Sequence, residues 1–142
     1  MAQRMGALVL AAGKGTRMHS DKPKVLQCLL NDPLLRYVID ALHPLFGEDV
    51  WAVVGYQAEM VRKIFSDDAV RFVEQREQLG TGHALTEALP ALEAAGYERI
   101  LVLNGDSPLV SSALLENFIQ PREEYYLSII FMIQSGLTEY HQ

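Results

Sequence analysis

The sequence predicts an α/β fold, a Rossmann-like and mostly parallel sheet with helices on both faces. The run at 5–10 is short and lacks a helical polar face, as a strand covered on both sides does, and 50–54, 70–73 and 100–103 read as further strands. Stretches with apolar residues at helical spacing separate these runs, and that alternation means repeated βαβ units. The strand runs give way to glycine-bearing or polar loops, and ligands of such sheets bind beyond the carboxyl ends of the strands. A chain of 142 residues makes one domain, with enough length to bury a core of its own.

The first strand runs into Ala11-Ala12-Gly13-Lys14-Gly15, where the two glycines let the backbone turn sharply and approach a ligand. Arg17, Lys22 and Lys24 follow, so residues 13–24 hold four cations against Asp21, in a chain of formal net charge -6. An amide-rich loop flanked by cations suits a small anion, a triphosphate foremost. The acidic balance elsewhere disfavours a nucleic-acid partner. The loop is not a P-loop, because Leu8 stands where the first glycine would be. Nor is it a dinucleotide fingerprint, because Met18 occupies the third glycine position.

Val25 to Leu29 reads as a short extended piece before an Asn31-Asp32-Pro33 turn. Asp32 is expected to cap a helix with Pro33 at its first position. Leu34, Leu35, Val38, Ile39 and Leu42 recur at helical spacing, and Pro44 and Gly47 end the helix. After the second strand come a Gly55-Tyr56-Gln57 turn, a short helix around Val61, Ile64 and Phe65, and the third strand. Residues 75–82 form a polar connection, followed by a helix over 84–95 that Pro90 kinks or divides. The fourth strand ends at Asn104-Gly105-Asp106. A last helical stripe of Leu114, Leu115, Phe118 and Ile119 takes Ser111 or Ser112 as its cap. Cys28 is the single cysteine, which excludes an intrachain disulfide, and is expected to be a buried small apolar residue. No apolar run approaches the roughly 20 residues of a membrane span, and no leader pattern opens the chain, so a cytoplasmic protein without a membrane partner is expected.

Leu10-Ala11-Ala12-Gly13-Lys14-Gly15-Thr16-Arg17-Met18, with Pro23-Lys24 behind it, resembles the signature of the sugar-nucleotide pyrophosphorylases. Gln78-Leu79-Gly80-Thr81-Gly82-His83-Ala84 is similar to the corresponding loop of bacterial N-acetylglucosamine-1-phosphate uridylyltransferases. Gly105-Asp106-Ser107-Pro108-Leu109 resembles the strand-end Gly-Asp-x-Pro-Leu of the same family. The resemblance implies transfer of UMP from UTP to N-acetylglucosamine-1-phosphate, giving pyrophosphate and a cell-wall precursor. It implies nucleotide contacts at Leu10, Ala11, Ala12, Gly13, Gly15, Thr16, Lys24, Gln75, Gly80, Thr81, Asn104 and Gly105. Arg17 and Lys24 would neutralise phosphate charge, and Asp106 would hold Mg²⁺.

The residues themselves make sense of those roles. A glutamine amide offers both donor and acceptor, which matches the N3–H and a carbonyl of uracil. A carboxylate at the end of a buried strand, facing a phosphate loop, suits a hard divalent cation. Lys14 and Lys22 are expected to be solvated bystanders. His83 is expected to start a helix rather than act as a base, since nothing near it reads as an acid partner. Transfer of a cytidylyl or guanylyl group on the same fold stays open, as do a nucleotide-binding or regulatory module without turnover and a homo-oligomer.

The likeness breaks after about Phe118. Glu124-Tyr125-Tyr126-Leu127-Ser128-Ile129-Ile130 resembles a Glu-Tyr-Tyr-x-Thr-Asp-Ile stretch found much later in the uridylyltransferase domain. Residues 1–121 therefore read as the nucleotide-binding part, and 122–142 as a tail from a later part. The sugar-binding segment between them, and a second metal ligand beyond it, have no counterpart. The chain is expected to follow an abrupt path between Phe118 and Glu123, to form an apolar helix over 122–136 covering the sheet, and not to turn over.

Overall fold

The computed structural model describes residues 4–14, 21–119, 127–133 and 136–141. Strand β1 (Met5–Ala11) leads, past a 3-10 turn at Lys24–Leu26, to a small hairpin of β2 (Cys28–Leu29) and β3 (Asp32–Pro33). Then follow α1 (Leu34–Phe46), β4 (Val50–Val54), α2 (Ala58–Ile64), β5 (Arg71–Glu74) and α3 (Thr81–Ala94). The order closes with β6 (Arg99–Asn104), α4 (Ser112–Phe118), β7 (Leu127–Ile133) and β8 (Gly136–His141). The main sheet runs β5-β4-β1-β6-β7-β8. Its pairs are parallel except β7 with β8.

Alternation along the strands divides the core between two faces, as the period of two requires. Ala7, Val9 and Ala11 of β1 face the same way as Val50, Ala52 and Val54 of β4 and Leu101 and Leu103 of β6. They pack under α1, α2 and α4 through Leu35, Val38, Ile39, Leu42, Val61, Leu115 and Phe118. Leu8, Trp51 and Val53 face the other way and meet Ala84, Ala88 and Leu92 of α3. Helices on both faces are thus present as expected. No helix among the described residues is long and apolar enough to cross a membrane.

Four local expectations are corrected. Asp32 does not cap α1, which has Pro33 at its N-cap and no side-chain cap bond. Leu30 and Asn31 both have positive φ, 51 and 73, and so form the two-residue turn of a hairpin in which Asp32 pairs with Leu29. Cys28 belongs to that surface hairpin and is exposed, not buried. Pro44 does not end α1, nor does Pro90 divide α3; both lie inside continuous helices. Each proline is exposed, as are Asp40 and Thr86 one turn earlier, so the carbonyl that loses its N–H partner is open to water.

The fourth correction concerns the tail. Residues 127–133 are not helical and do not lie over the sheet; β7 extends it, pairing Ile100 with Leu127 and Val102 with Ile129. Ser-Ile-Ile-Phe-Met-Ile has no helical polar face and is rich in β-branched and aromatic residues, which favour a strand. The expected abrupt path between Phe118 and Glu123 falls on residues 120–126, outside those described.

Candidate active site

The sheet has a switch point beside its first strand. From β1 the chain crosses to β4 and then β5 on one side, and returns through α3 to β6 on the other. Loops leaving the two central strands therefore diverge, and a crevice opens where they part. Gly105 N–H donates to Leu10 O at 3.0 Å just past the ends of β1 and β6. A Cβ at Gly105 would come within 3.0 Å of Val25 Cγ1 and 3.2 Å of Leu10 O, so the close approach needs glycine. On the other flank Tyr56 N–H donates to Ala12 O at 3.2 Å, and Gln75 N–H to Val54 O at 2.7 Å. The ends of β1, β4, β5 and β6 thus meet around one cavity.

Leu10, Ala12, Gly13, Lys24 and Val25 line one side of it, Gln75, Gln78, Gly80, Thr81 and Ala84 another, and Asn104 and Asp106 the third. Of the residues expected here, Ala11 packs instead in the core beneath, and Gly105 serves through its backbone. Gly15, Thr16 and Arg17 lie outside the described residues. A Cβ at Gly13 would meet no atom within 4 Å, which leaves the space above that backbone open.

Burial of Val25 and Leu26 anchors the 3-10 turn and carries Lys24 to the cavity. There its Nζ lies 2.7 Å from Asp106 Oδ2. The expected phosphate cation and the expected metal ligand are therefore ion-paired with each other. Both remain partly exposed, so the pair can exchange partners with an incoming ligand. Asp106 is the one carboxylate among the described residues lining the cavity, and these residues contain no cluster of three or more metal-ligating side chains. A single carboxylate fits Mg²⁺, which keeps several waters and arrives with substrate phosphates, better than a cation that needs a protein cage.

Gln75 is 3% exposed. Its Nε2 reaches Gly80 O at 3.2 Å and His83 Nδ1 at 2.8 Å. Gly80 has φ +100, which the turn into α3 requires and which glycine adopts readily. His83 does sit in the first turn of α3, but it has an acid partner after all: Glu87, whose Oε1 is 3.1 Å from Nε2. The i,i+4 spacing is the signal that would have found it. Lys14 is exposed, in line with a solvated bystander, and its Nζ lies 5.1 Å from the Tyr56 ring centroid. Gly55 also escapes sequence reasoning: a Cβ there would lie 2.8 Å from Gln75 O and 3.1 Å from Ala12 Cβ.

Residues 7–139 match the family of MobA-like NTP transferase domains. The chain is 55% identical over 124 residues to the bifunctional protein GlmU of Nitratidesulfovibrio vulgaris (strain DP4), an alignment covering 87% of this chain and 27% of that protein. Its fold resembles a nucleotidyl transferase from Methanothermobacter thermautotroptrophicus (Mth528), with a TM-score of 0.69 and 30% identity over 82% of this chain and 57% of that one. It also resembles the inositol-1-phosphate CTP transferase of T. maritima, with a TM-score of 0.69 and 26% identity over 86% and 51% of the two chains. The chain spans about a quarter of the length of the curated relatives it matches.

Proposed function

The chain belongs to the family of MobA-like NTP transferase domains, and from that premise we propose that its cavity binds UTP for transfer of UMP to N-acetylglucosamine-1-phosphate, a step of cell-wall precursor synthesis. The observation that carries this reading is the convergence of the Lys24–Asp106 pair with Gln75, Gly80 and Thr81 on one cavity. A cation and a carboxylate suit the triphosphate end, and an amide with adjacent backbone suits a base. The 55% identity to the bifunctional protein GlmU supports the choice of uridylyl over other nucleotidyl groups.

In the reaction an oxygen of the sugar phosphate attacks the α-phosphorus of UTP in line. The bond to the bridging oxygen breaks, and pyrophosphate leaves. Such chemistry asks the protein chiefly for positioning and charge neutralisation. Gly13 and its neighbours bring backbone amides to the phosphates. Lys24 releases Asp106 and turns its ammonium to the triphosphate, joined by Arg17. Held by Asp106 together with phosphate oxygens, Mg²⁺ would spread the charge that collects on the leaving group. Gln75 and the Gly80-Thr81 backbone hold the base.

A second reading, nucleotide binding without transfer, is favoured by one sequence feature: the likeness to the uridylyltransferases passes from Phe118 to Glu124 with no segment for the sugar. Calorimetry with UTP, CTP and GTP in Mg²⁺, alongside a pyrophosphate-release assay with N-acetylglucosamine-1-phosphate, tests both. Preferred binding of UTP with background release supports the binding-only form, and robust release supports transfer. Binding of none of the three nucleotides overturns the proposal.

A further inference from the structure

We infer that His83 is a positioning residue that locks the Gln75 amide with its nitrogen inward, so that Oε1 is the atom left for a nucleobase. The inference rests on the nucleotide-binding reading of this cavity and deepens it. The amide nitrogen of Gln75 can only donate, and it faces two atoms at once. One is Gly80 O, which can only accept and which already takes the Ala84 N–H at 3.1 Å as α3 begins. The other is His83 Nδ1. For Nδ1 to accept, the imidazole proton must sit on Nε2, and there Glu87 Oε1 receives it at 3.1 Å.

The chain of contacts therefore runs from a surface carboxylate through the His83 imidazole to a buried amide. Turning that amide over would set Oε1 against Gly80 O and against Nδ1, two acceptor–acceptor contacts where water has little access. With the nitrogen committed inward, the amide meets a ligand as an acceptor. Uracil presents N3–H to an acceptor, whereas cytosine presents a bare N3 there. The arrangement selects the first and repels the second.

The test is calorimetric titration of UTP, CTP and inorganic tripolyphosphate, each with Mg²⁺, into the chain and into its His83→Ala and His83→Asn variants. His83→Ala should cut the preference for UTP over CTP about tenfold, as expected when a buried hydrogen bond that fixes orientation is lost. Binding of tripolyphosphate should not change. His83→Asn, whose Oδ1 can accept near the place of Nδ1, should keep the preference. An unchanged UTP to CTP ratio in His83→Ala overturns the inference, as does an equal loss of all three ligands or a failure of His83→Asn to rescue. A parent chain that binds nucleotide with no base preference, or binds none, overturns the reading of the base site and this inference with it. Preserved preference with an indifferent His83→Ala removes only the role of His83. Independently of any ligand, the Gln75 side-chain NH₂ pair in a ¹H–¹⁵N spectrum should shift in His83→Ala, and an unmoved pair denies the contact.

Discussion

Lys24 and Lys22 stand two positions apart; Lys24 has its ammonium at Asp106 in the cavity, and the Lys22 backbone carbonyl takes a hydrogen bond from Gln27. Lys24→Ala should weaken UTP binding at least tenfold, since a charge-assisted contact to phosphate contributes roughly 1.5–3 kcal/mol. Lys22→Ala should do far less. Calorimetry separates the two, and equal losses would mean a diffuse positive field rather than a placed cation. Asp106→Asn keeps the shape and removes the charge, so the dependence of UTP binding on Mg²⁺ should disappear. Gly55→Ala tests packing instead: its Cβ would press on Gln75 O, backbone that cannot step aside as the nearby Gln78 end can. A loss of about 1–3 kcal/mol is expected, read by urea unfolding. Lys24 and Asp106 were legible because each sits at a fixed place in a short local motif. Gly55 was not, because its importance depends on what another segment of chain brings against it, whereas Glu87 was within reach of the sequence through its i,i+4 spacing from His83.

Helix ends and strand edges were less evenly legible. Ser111 caps α4 as expected, its Oγ accepting from Leu114 N–H at 3.2 Å, and Ser111→Ala should cost about 1 kcal/mol in denaturant midpoint measurements. Asp32 had the right chemistry for the same task, but the hairpin claimed it. At the end of β6 away from the cavity, Trp51 Nε1–H donates to Tyr97 OH at 3.0 Å, and that hydroxyl donates to Asp49 Oδ1 at 2.7 Å. Burial, and then Asp49, raise the phenol pKa above its ordinary value, against a lowering by the Trp51 contact. The folded chain therefore holds the phenolic proton more tightly than the unfolded one. That stabilising contribution is present below about pH 10 and is lost as pH climbs through the raised pKa. Tyr97→Phe should lose about 1–3 kcal/mol at neutral pH, because Trp51 N–H loses its acceptor, and should show a shallower alkaline fall in stability. A steeper fall in the variant would contradict this sign.

Over the whole molecule, the four parallel strands β1, β4, β5 and β6 and the gathering of loops at one sheet edge were readable, because their apolar runs are too short for a surface helix, whereas the hairpin β2–β3 and the strands β7 and β8 were not. The tail misled because its apolar content was read without its period; Ile129, Ile130 and Ile133 belong on a pleated surface. The pairing of β1 with β6 has a further consequence, in time. Leu10 sits beside Asn104, so the two sides of the crevice come from opposite parts of the folded core. During synthesis β1, β4 and β5 can associate while β6 is still being made, but Lys24 cannot meet Asp106 until nearly all of that core has emerged. Closing so distant a pair is slow, because the loop entropy is lost before the contacts reward it. In refolding, the fluorescence of Trp51, the single tryptophan, should therefore recover before UTP binding does. Equal rates would mean instead that the two halves of the sheet close in one step. Nucleotide capture would then serve as a late seal, holding only chains that have finished folding.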